Sequence, residues 1–467
     1  MKVTVGNKIR VKDFTQEFAD WCKDNLILDN PEYIKKERMG LWCGNTPRKI
    51  FLYEFDTDSL ILPFGVWGAE FYSRFCKGEG NEVVPEFTPL DSVKRVNYQS
   101  KINLYDYQAE AVEQALKKGN GVVVMPCGAG KTQTALEIIA RLGLKTLWLT
   151  HTQDLLNQSL NRAKSVFDIE QASYGRITGG KVDIGYGITF ATVQTMSKLD
   201  LVQYKDTWQA VVVDECHKAI GSPTKVMQFY KVLSNLNCRY KYGLTATPKR
   251  ADGLERSMFA LIGNVIHTVP KSAVADTTCP VRVEVIETEY KPNTNVVLAG
   301  DGTLNYANLV QDMVSDEKRK DCVFQNIKGL EGGMLVLANR VEYLAEMCTR
   351  YKREGKKAVC LSTLGNSKKA KAERRQALEK LNTGELDCVF ATYQLAKEGL
   401  DVPNLRYLVL ATPEKDETTV TQAIGRVGRK AEGKEYGTVI DFVDDFGLYL
   451  GWHKKRLGYY KKLETQC

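Results

Sequence analysis

The sequence predicts an α/β protein of two tandem lobes with mainly parallel sheets, preceded by a small α+β domain. Three observations lead there. Short apolar runs at residues 121–124, 144–150 and 209–213 each hand over to polar residues and then to helical spacing, as in a parallel sheet with crossover helices. A similar alternation returns at residues 334–340 and 387–392 without an obvious sequence repeat. Between the two, residues 268–300 change character and carry Pro270, Pro280 and Pro292, which puts a lobe boundary near 270. A chain of 467 residues is long enough for about three domains. The expected division is 1–100, 101–270, 271–450 and a basic, aromatic tail at 451–467.

In the first hundred residues, Phe14, Phe18, Trp21 and Cys22 recur at helical spacing with acids between them, an amphipathic helix that packs a core. Residues 48–55 and 59–62 read as two strands joined at Asp56-Thr57-Asp58, a hairpin. Lys35, Lys36, Arg38, Arg48 and Lys49 cluster around it. Taken singly, each is an ordinary solvated charge. Together they can touch phosphates, with Lys35, Lys36 and Arg48 as candidates. Residues 77–100 are polar, carry Gly78, Gly80, Pro85 and Pro89, and read as a linker.

The second domain opens on Tyr105-Asp106-Tyr107-Gln108 before a helix. The Gln108 amide can donate and accept at once, which suits an adenine edge. Then Val122-Val123-Val124 runs into Met125-Pro126-Cys127-Gly128-Ala129-Gly130-Lys131-Thr132 and a helical pattern. A strand, a glycine-rich turn and a helix beginning at Lys-Thr make a phosphate-binding loop. Gly128, Ala129 and Gly130 let backbone N–H groups converge on phosphate oxygens, and the helix start adds partial positive charge. Lys131 can reach the β- and γ-phosphates of ATP, and the Thr132 hydroxyl can hold Mg²⁺. The pattern departs from the usual one at Met125, where a glycine is expected. An ordinary glycine-rich turn would look the same locally, so the next carboxylates decide.

Those carboxylates are Asp214 and Glu215, delivered by the apolar strand Val211-Val212-Val213 and followed by Cys216-His217. Two adjacent acids at the end of a buried strand are costly unless a cation or a reaction needs them. Asp214 is suited to hold Mg²⁺, and Glu215 to orient and deprotonate an attacking water. Near the other end of the chain, Gln422-Ala423-Ile424-Gly425-Arg426-Val427-Gly428-Arg429 spaces two arginines three apart, so on a helix they share a face. Guanidinium forks suit phosphate oxygens, and such arginines acting on a γ-phosphate are worth about 10³ or more in rate. Gln422 is a third catalytic candidate in this stretch.

Composition bounds the alternatives. A hydrophobic share of 43% and a charged share of 26% are those of a soluble globular protein. No apolar run approaches the ~20 residues that cross a bilayer, and Met1-Lys2-Val3-Thr4-Val5 lacks the apolar core of a signal peptide. A cytoplasmic location is expected, with no membrane partner. Twelve scattered cysteines without a C-x-x-C pair, and only four histidines, argue against a zinc or iron–sulfur site and for reduced thiols. A net charge of +8 permits a polyanionic partner.

The order and spacing of these stretches resemble the motifs of superfamily 2 helicases, with a D-E-C-H box at Asp214 and a T-A-T box at Thr245-Ala246-Thr247. Within that group the chain is similar to UvsW-type phage branch-migration helicases and to RecG- and XPB-type duplex-DNA motors. The resemblance covers residues 102–445 and implies two RecA-like lobes that bind ATP and Mg²⁺ and act on DNA. It implies coupling roles for Thr245, Thr247 and His217, and strand contacts for Thr192 and Thr392. Asn339 falls in a stretch resembling motif IV, and Asp401 in one resembling motif V, where the family senses nucleotide. Arg250-Ala251-Asp252 stands where XPB-type proteins carry Arg-Glu-Asp, so Arg250 is a further nucleic-acid candidate, although Ala251 replaces the acid. The implied partner is branched or duplex DNA recognised by shape rather than sequence, bound by a monomer. The tail, His453-Lys454-Lys455-Arg456-Leu457-Gly458-Tyr459-Tyr460, reads as a solvated amphipathic helix that could also touch nucleic acid.

Overall fold

The computed structural model describes residues 1–464 other than 127, 251, 299–302, 366 and 398–401. They divide into two units, Met1–Pro270 and Lys271–Cys467.

The first unit begins with seven strands: β1 (Lys2–Val5), β2 (Lys8–Lys12), β3 (Ile27–Asp29), β4 (Lys49–Phe51), β5 (Glu54–Asp56), β6 (Ser59–Pro63) and β7 (Glu82–Pro85). Five of them form a sheet in the order β5-β6-β2-β1-β7. Alternation along β1 and β2 turns Val3, Val5, Ile9 and Val11 inward. The helix Gln16–Leu26 lays Phe18, Cys22 and Leu26 on that face, capped by Thr15, whose hydroxyl accepts from Phe18 N.

Two readings of this region are corrected. The expected strand at 48–55 is broken: β4 pairs with β3, while β5 makes the hairpin with β6. The break serves the helix, since Leu52 is buried and its N–H donates to Leu26 O. Nor is 77–100 simply a linker, because β7 pairs in parallel with β1 as an edge strand. Pro85 is tolerated at its end.

This small domain is fused to the rest of the first unit. Its apolar core takes in Leu254 and Ala260 from the helix Glu255–Ile262 and the residue before it. Gly65 lies so close to that helix that a Cβ would stand 2.3 Å from Phe259 O. Tyr230 donates to Glu54, and Asn237 Nδ2 to Glu86 O.

The larger sheet of the first unit contains β8 (Asn120–Val124), β9 (Thr146–Thr150), β10 (Tyr174–Thr178), β11 (Lys181–Asp183), β12 (Ile188–Thr192), β13 (Ala210–Asp214), β14 (Tyr240–Thr245) and β15 (Val265–Thr268). Their order is β11-β10-β12-β9-β13-β14-β8-β15, and every pair but β10/β11 is parallel. The second unit holds β16 (Val281–Thr288), β17 (Gly333–Ala338), β18 (Ala358–Cys360), β19 (Cys388–Thr392), β20 (Leu405–Leu410) and β21 (Gly437–Asp444). These run β16-β21-β20-β17-β19-β18, all parallel. Each lobe is thus a RecA-like α/β layer, with strands apolar on both faces because helices cover both.

Two buried acids on β21 anchor the second unit. Asp444 receives Arg319 through Nε at 2.6 Å and Nη2 at 3.1 Å, and also the Thr288 hydroxyl. Asp441 receives Arg456 through Nε at 2.9 Å and Nη2 at 2.8 Å, and Tyr460 at 2.7 Å. His453 Nδ1 lies 3.3 Å from the same carboxylate. The reading of 451–467 as a solvated tail is therefore corrected: the helix Gly447–Glu464 spends Arg456 and Tyr460 on the core. No helix among the described residues is long and apolar enough to cross a membrane. Ten described cysteines are free thiols, all buried but Cys43 and Cys322.

Burial pushes the Asp441 carboxyl up, but hydrogen bonds from its partners and the Arg456 charge hold it below its ordinary value. Its share of stability is complete above about pH 4 and is lost as pH falls through the lowered value. Asp441→Asn, which leaves Arg456 buried without its counter-charge, is expected to cost about 3–5 kcal/mol in the second unit, measured by urea unfolding.

Candidate nucleotide site and the surfaces around it

The topology brings the phosphate loop and the acid pair to neighbouring strand ends. The loop follows β8, the acids end β13, and β14 runs between them. Ligands of open parallel sheets bind at such carboxyl ends. Met125, at the departure from the usual pattern, is fully buried, and its N–H donates to Thr245 O on β14. A side chain there fills the core behind the loop.

Gly128 and Gly130 hold φ of +85° and +76°, a backbone region that side chains disfavour. Gly130 is the N-cap of the helix Lys131–Leu142, and no side chain caps it. The start of that helix, at Lys131 and Thr132, carries the partial positive charge that favours an anion. Gln108 holds the loop from behind. It is buried, its Nε2 donates to Ala129 O at 2.9 Å, and its Oε1 accepts from Tyr105 N at 3.0 Å. A Cβ on Gly130 would meet Gln108 Nε2 at 2.3 Å. The amide expected to read adenine is therefore engaged with the backbone of the loop itself.

Asp214 is buried, and one of its oxygens accepts from Glu215 N at 3.0 Å. Burial and the neighbouring Glu215 push its carboxyl up, against the pull of Lys131. Burial pushes Glu215 up as well, yet the charge of Lys131 and then His217 hold it below the ordinary range. Glu215 sits at φ +50° and ψ 51°, a left-handed conformation that costs a non-glycine residue about 1–3 kcal/mol. Among the described residues its Oε2 is buried with His217 Nδ1 3.3 Å away as its ion-pair contact and no well-formed hydrogen bond. A buried carboxylate oxygen with only that long contact to satisfy it, beside a second buried acid, fits a site that takes a divalent cation and a reacting water.

From the acids, a polar chain leads to both flanks. His217 Nδ1 stands 3.1 Å from Thr245 Oγ1, which in turn accepts from Thr247 N. Arg250 Nη1 donates to His217 O at 2.5 Å, and its guanidinium pairs with Asp252. On the other side Lys218 Nζ lies 2.6 Å from His151 Nε2, and His151 O accepts from Gln194 Nε2 at 2.7 Å. Burial and then Lys218 lower His151 to about 4, which keeps its imidazole neutral as an acceptor. Lys218 and Gln194 carry no motif signal. They are found only because the strand ends of β9, β12 and β13 meet.

Several candidates turn inward. Thr192 is buried, its hydroxyl 3.0 Å from that of Thr195, so the exposed residue at this strand end is Gln194. Thr392 uses its hydroxyl to accept from Leu395 N, capping the helix Tyr393–Lys397. Asn339 Nδ2 donates to Pro413 O. Lys36 pairs with Glu32 and donates to Thr46, while Lys35 and Arg48 are exposed.

Arg426 and Arg429 do not share a helix: the helix Glu417–Val427 ends before Arg429, which bridges to Thr278. Gly428 is the cap, and its carbonyl is taken by Cys279 N. Gln422 and Arg426, four apart, are the pair on one helix face. Arg426 Nη2 donates to Ala396 O at 2.7 Å. Asp401 lies outside the described residues.

Residues 101–250 match the family described as type III restriction enzyme, res subunit, and residues 318–431 match the helicase conserved C-terminal domain. The DNA 3'-5' translocase XPB2 of Sulfurisphaera tokodaii is 26% identical over 389 residues, spanning 75% of this chain and 84% of its own length. The ATP-dependent DNA helicase uvsW of Enterobacteria phage T4 is 23% identical, spanning 94% of this chain and 91% of its own. L396 of Acanthamoeba polyphaga mimivirus, provisionally named an ATP-dependent RNA helicase, is 23% identical, spanning 88% and 81%.

The four histidines make the His151 contact measurable. In an NMR titration one imidazole is expected to titrate near pH 4. In Lys218→Met the same resonance moves upward but, because burial persists, stays below the ordinary value of about 6.5. A His151 resonance that titrates at the ordinary value in the unaltered protein would contradict the buried contact.

Proposed function

We propose that this chain, a superfamily 2 helicase, is an ATP-driven DNA motor that remodels forks or junctions by branch migration and strand unwinding. The observation that carries the reading is the buried acid pair under the influence of Lys131 at adjoining strand ends. Lys131 and the N–H groups from Gly128 to Thr132 bind the β- and γ-phosphates. Glu215 positions and deprotonates the attacking water, its low pKa keeping it ionised for that task. Mg²⁺ held by Thr132 and Asp214 would neutralise charge on the phosphate oxygens. Arg426, with Gln422 on the same helix face, and Arg429 beyond the helix end would act as arginine fingers on the charge that develops at the γ-phosphate.

His217, Thr245 and Thr247 carry the state of the acids to Arg250 on one flank, and Lys218 and His151 carry it to Gln194 on the other. Backbone contacts made through these flanks give no sequence preference, so discrimination is by DNA shape. The similarity to uvsW supports branched DNA, and its phage origin is in keeping with work in the cytoplasm of an infected or bacterial cell. A second reading, movement along duplex DNA without strand separation, is favoured by the similarity to a protein named as a translocase. Strand displacement measured beside triplex displacement separates the two.

The central test is ATP turnover over single strands, duplexes, forks, junctions and matched RNAs. Branched DNA is expected to raise turnover at least several-fold, and RNA to do so less. Glu215→Gln is expected to keep ATP binding while turnover falls by about 10² or more. Full turnover in Glu215→Gln removes the proposed base. If no DNA raises turnover, a nucleotide-gated clamp is the better account.

A further inference from the structure

The N-terminal domain carries an apolar loop with no visible structural duty. After the helix Pro31–Arg38 the chain exposes Met39 (60%), Leu41 (53%) and Trp42 (88%). Exposed apolar groups in such a cluster mark an interaction surface. The loop is held in place: Leu41 N donates to Lys36 O, Thr46 N to Cys43 O, and Lys36 Nζ to Thr46 Oγ1. The Trp42 ring rests against Gly44, where any side chain would collide with it at 2.7 Å.

Met39 also lines a groove of about 600 Å³, between this helix and the segment after the T-A-T box. That volume is ample for a nucleotide. Its charge is unbalanced. The two carboxylates in its walls are already neutralised, Asp29 by Lys49 and Asp252 by Arg250. Lys35, Arg38 and Arg256 line it with no ion-pair partner among the described residues. The loop reaches the groove through Met39 and carries the exposed Trp42 three residues further on. Unmatched cations combined with an exposed indole suit single-stranded nucleic acid, phosphates on the charges and a base on the ring. An apolar protein partner would leave those three cations unmatched. The far wall is also wired to the nucleotide site, since Arg250 joins Asp252 to the carbonyl of His217.

We infer that this groove and the Met39–Trp42 loop form a site for an unpaired DNA strand where it leaves a duplex, with Lys35, Arg38 and Arg256 on its phosphates and Trp42 stacked on a base. The inference rests on the reading of the chain as a DNA motor, and it adds the place where a branch point is told from plain duplex.

The test uses the full chain and a fork with 2-aminopurine at the first unpaired position, beside a blunt duplex of the same sequence. The fork probe is expected to be quenched on binding. Trp42→Ala should abolish the quench and weaken fork binding about tenfold, while blunt-duplex affinity stays within about twofold and the melting curve is unchanged, as the exposure of Trp42 requires. Trp42→Phe should restore most of the quench. Lys35→Glu, Arg38→Glu and Arg256→Glu combined should weaken binding and flatten its salt dependence by about two in slope.

Unchanged fork binding and quench in Trp42→Ala overturn the site. So does a variant whose only change is in self-association, which would make the loop a contact between copies. Turnover by the unaltered protein separates this failure from that of the motor. Stimulation by DNA together with an unaffected Trp42→Ala defeats the site and leaves the motor. Loss of fork binding in Trp42→Ala, with no stimulation by any DNA, defeats the motor and leaves the site.

Discussion

The burial of two adjacent carboxylates, Asp214 and Glu215, at the end of β13 is the constraint that the nucleotide site must meet, and the charge of Lys131 opposes its cost. Two neighbouring acids buried at a strand end repel each other and have lost their water. A nearby lysine is the partner that lets at least one of them remain ionised. The parallel sheet supplies that partner by topology, since the loop after β8 and the end of β13 are separated only by β14. Gln108 and the left-handed glycines then fix the loop that bears the lysine. Glu215 is held in a strained conformation of its own, and it opens the turn that aims His217 at Thr245.

The second unit solves a similar problem without chemistry. Asp441 and Asp444 lie in an otherwise apolar strand, and each is matched by an arginine from a helix and by a hydroxyl. Such pairs contribute less to net stability than their Coulomb attraction suggests, because both ions were desolvated. Through these pairs the helices Gly447–Glu464 and Glu317–Ile327 are each tied to β21 at one carboxylate.

Much of this is legible in the residues. The β-branched runs, their polar ends, the glycine-rich turn and the adjacent acids each state a local requirement, and a parallel sheet meets them all. What stays hidden depends on partners distant in sequence. Nothing near Lys218 announces His151, 67 residues away. Arg456 reads as solvated because its tail is rich in cations, yet a signal is present in Val439-Ile440-Asp441-Phe442-Val443, where a lone acid inside an apolar strand demands a cation. Arg429 reads as helical because the spacing of two arginines says nothing of where a helix stops. Gly428 and the isolated bridge to Thr278 decide that. Gln108 shows its capacity to donate and accept, but not that the backbone on either side would claim both.

The close approach of Gly65 to Phe259 has a mechanical consequence. Backbone seated against backbone there, beside Leu254 and Ala260 packed into the small domain's core, seats the N-terminal sheet on the lobe rather than hanging it from the lobe as a tether. A movement of the helix Glu255–Ile262 would therefore be shared by the small domain, and a load on that domain would bear on the helix in return.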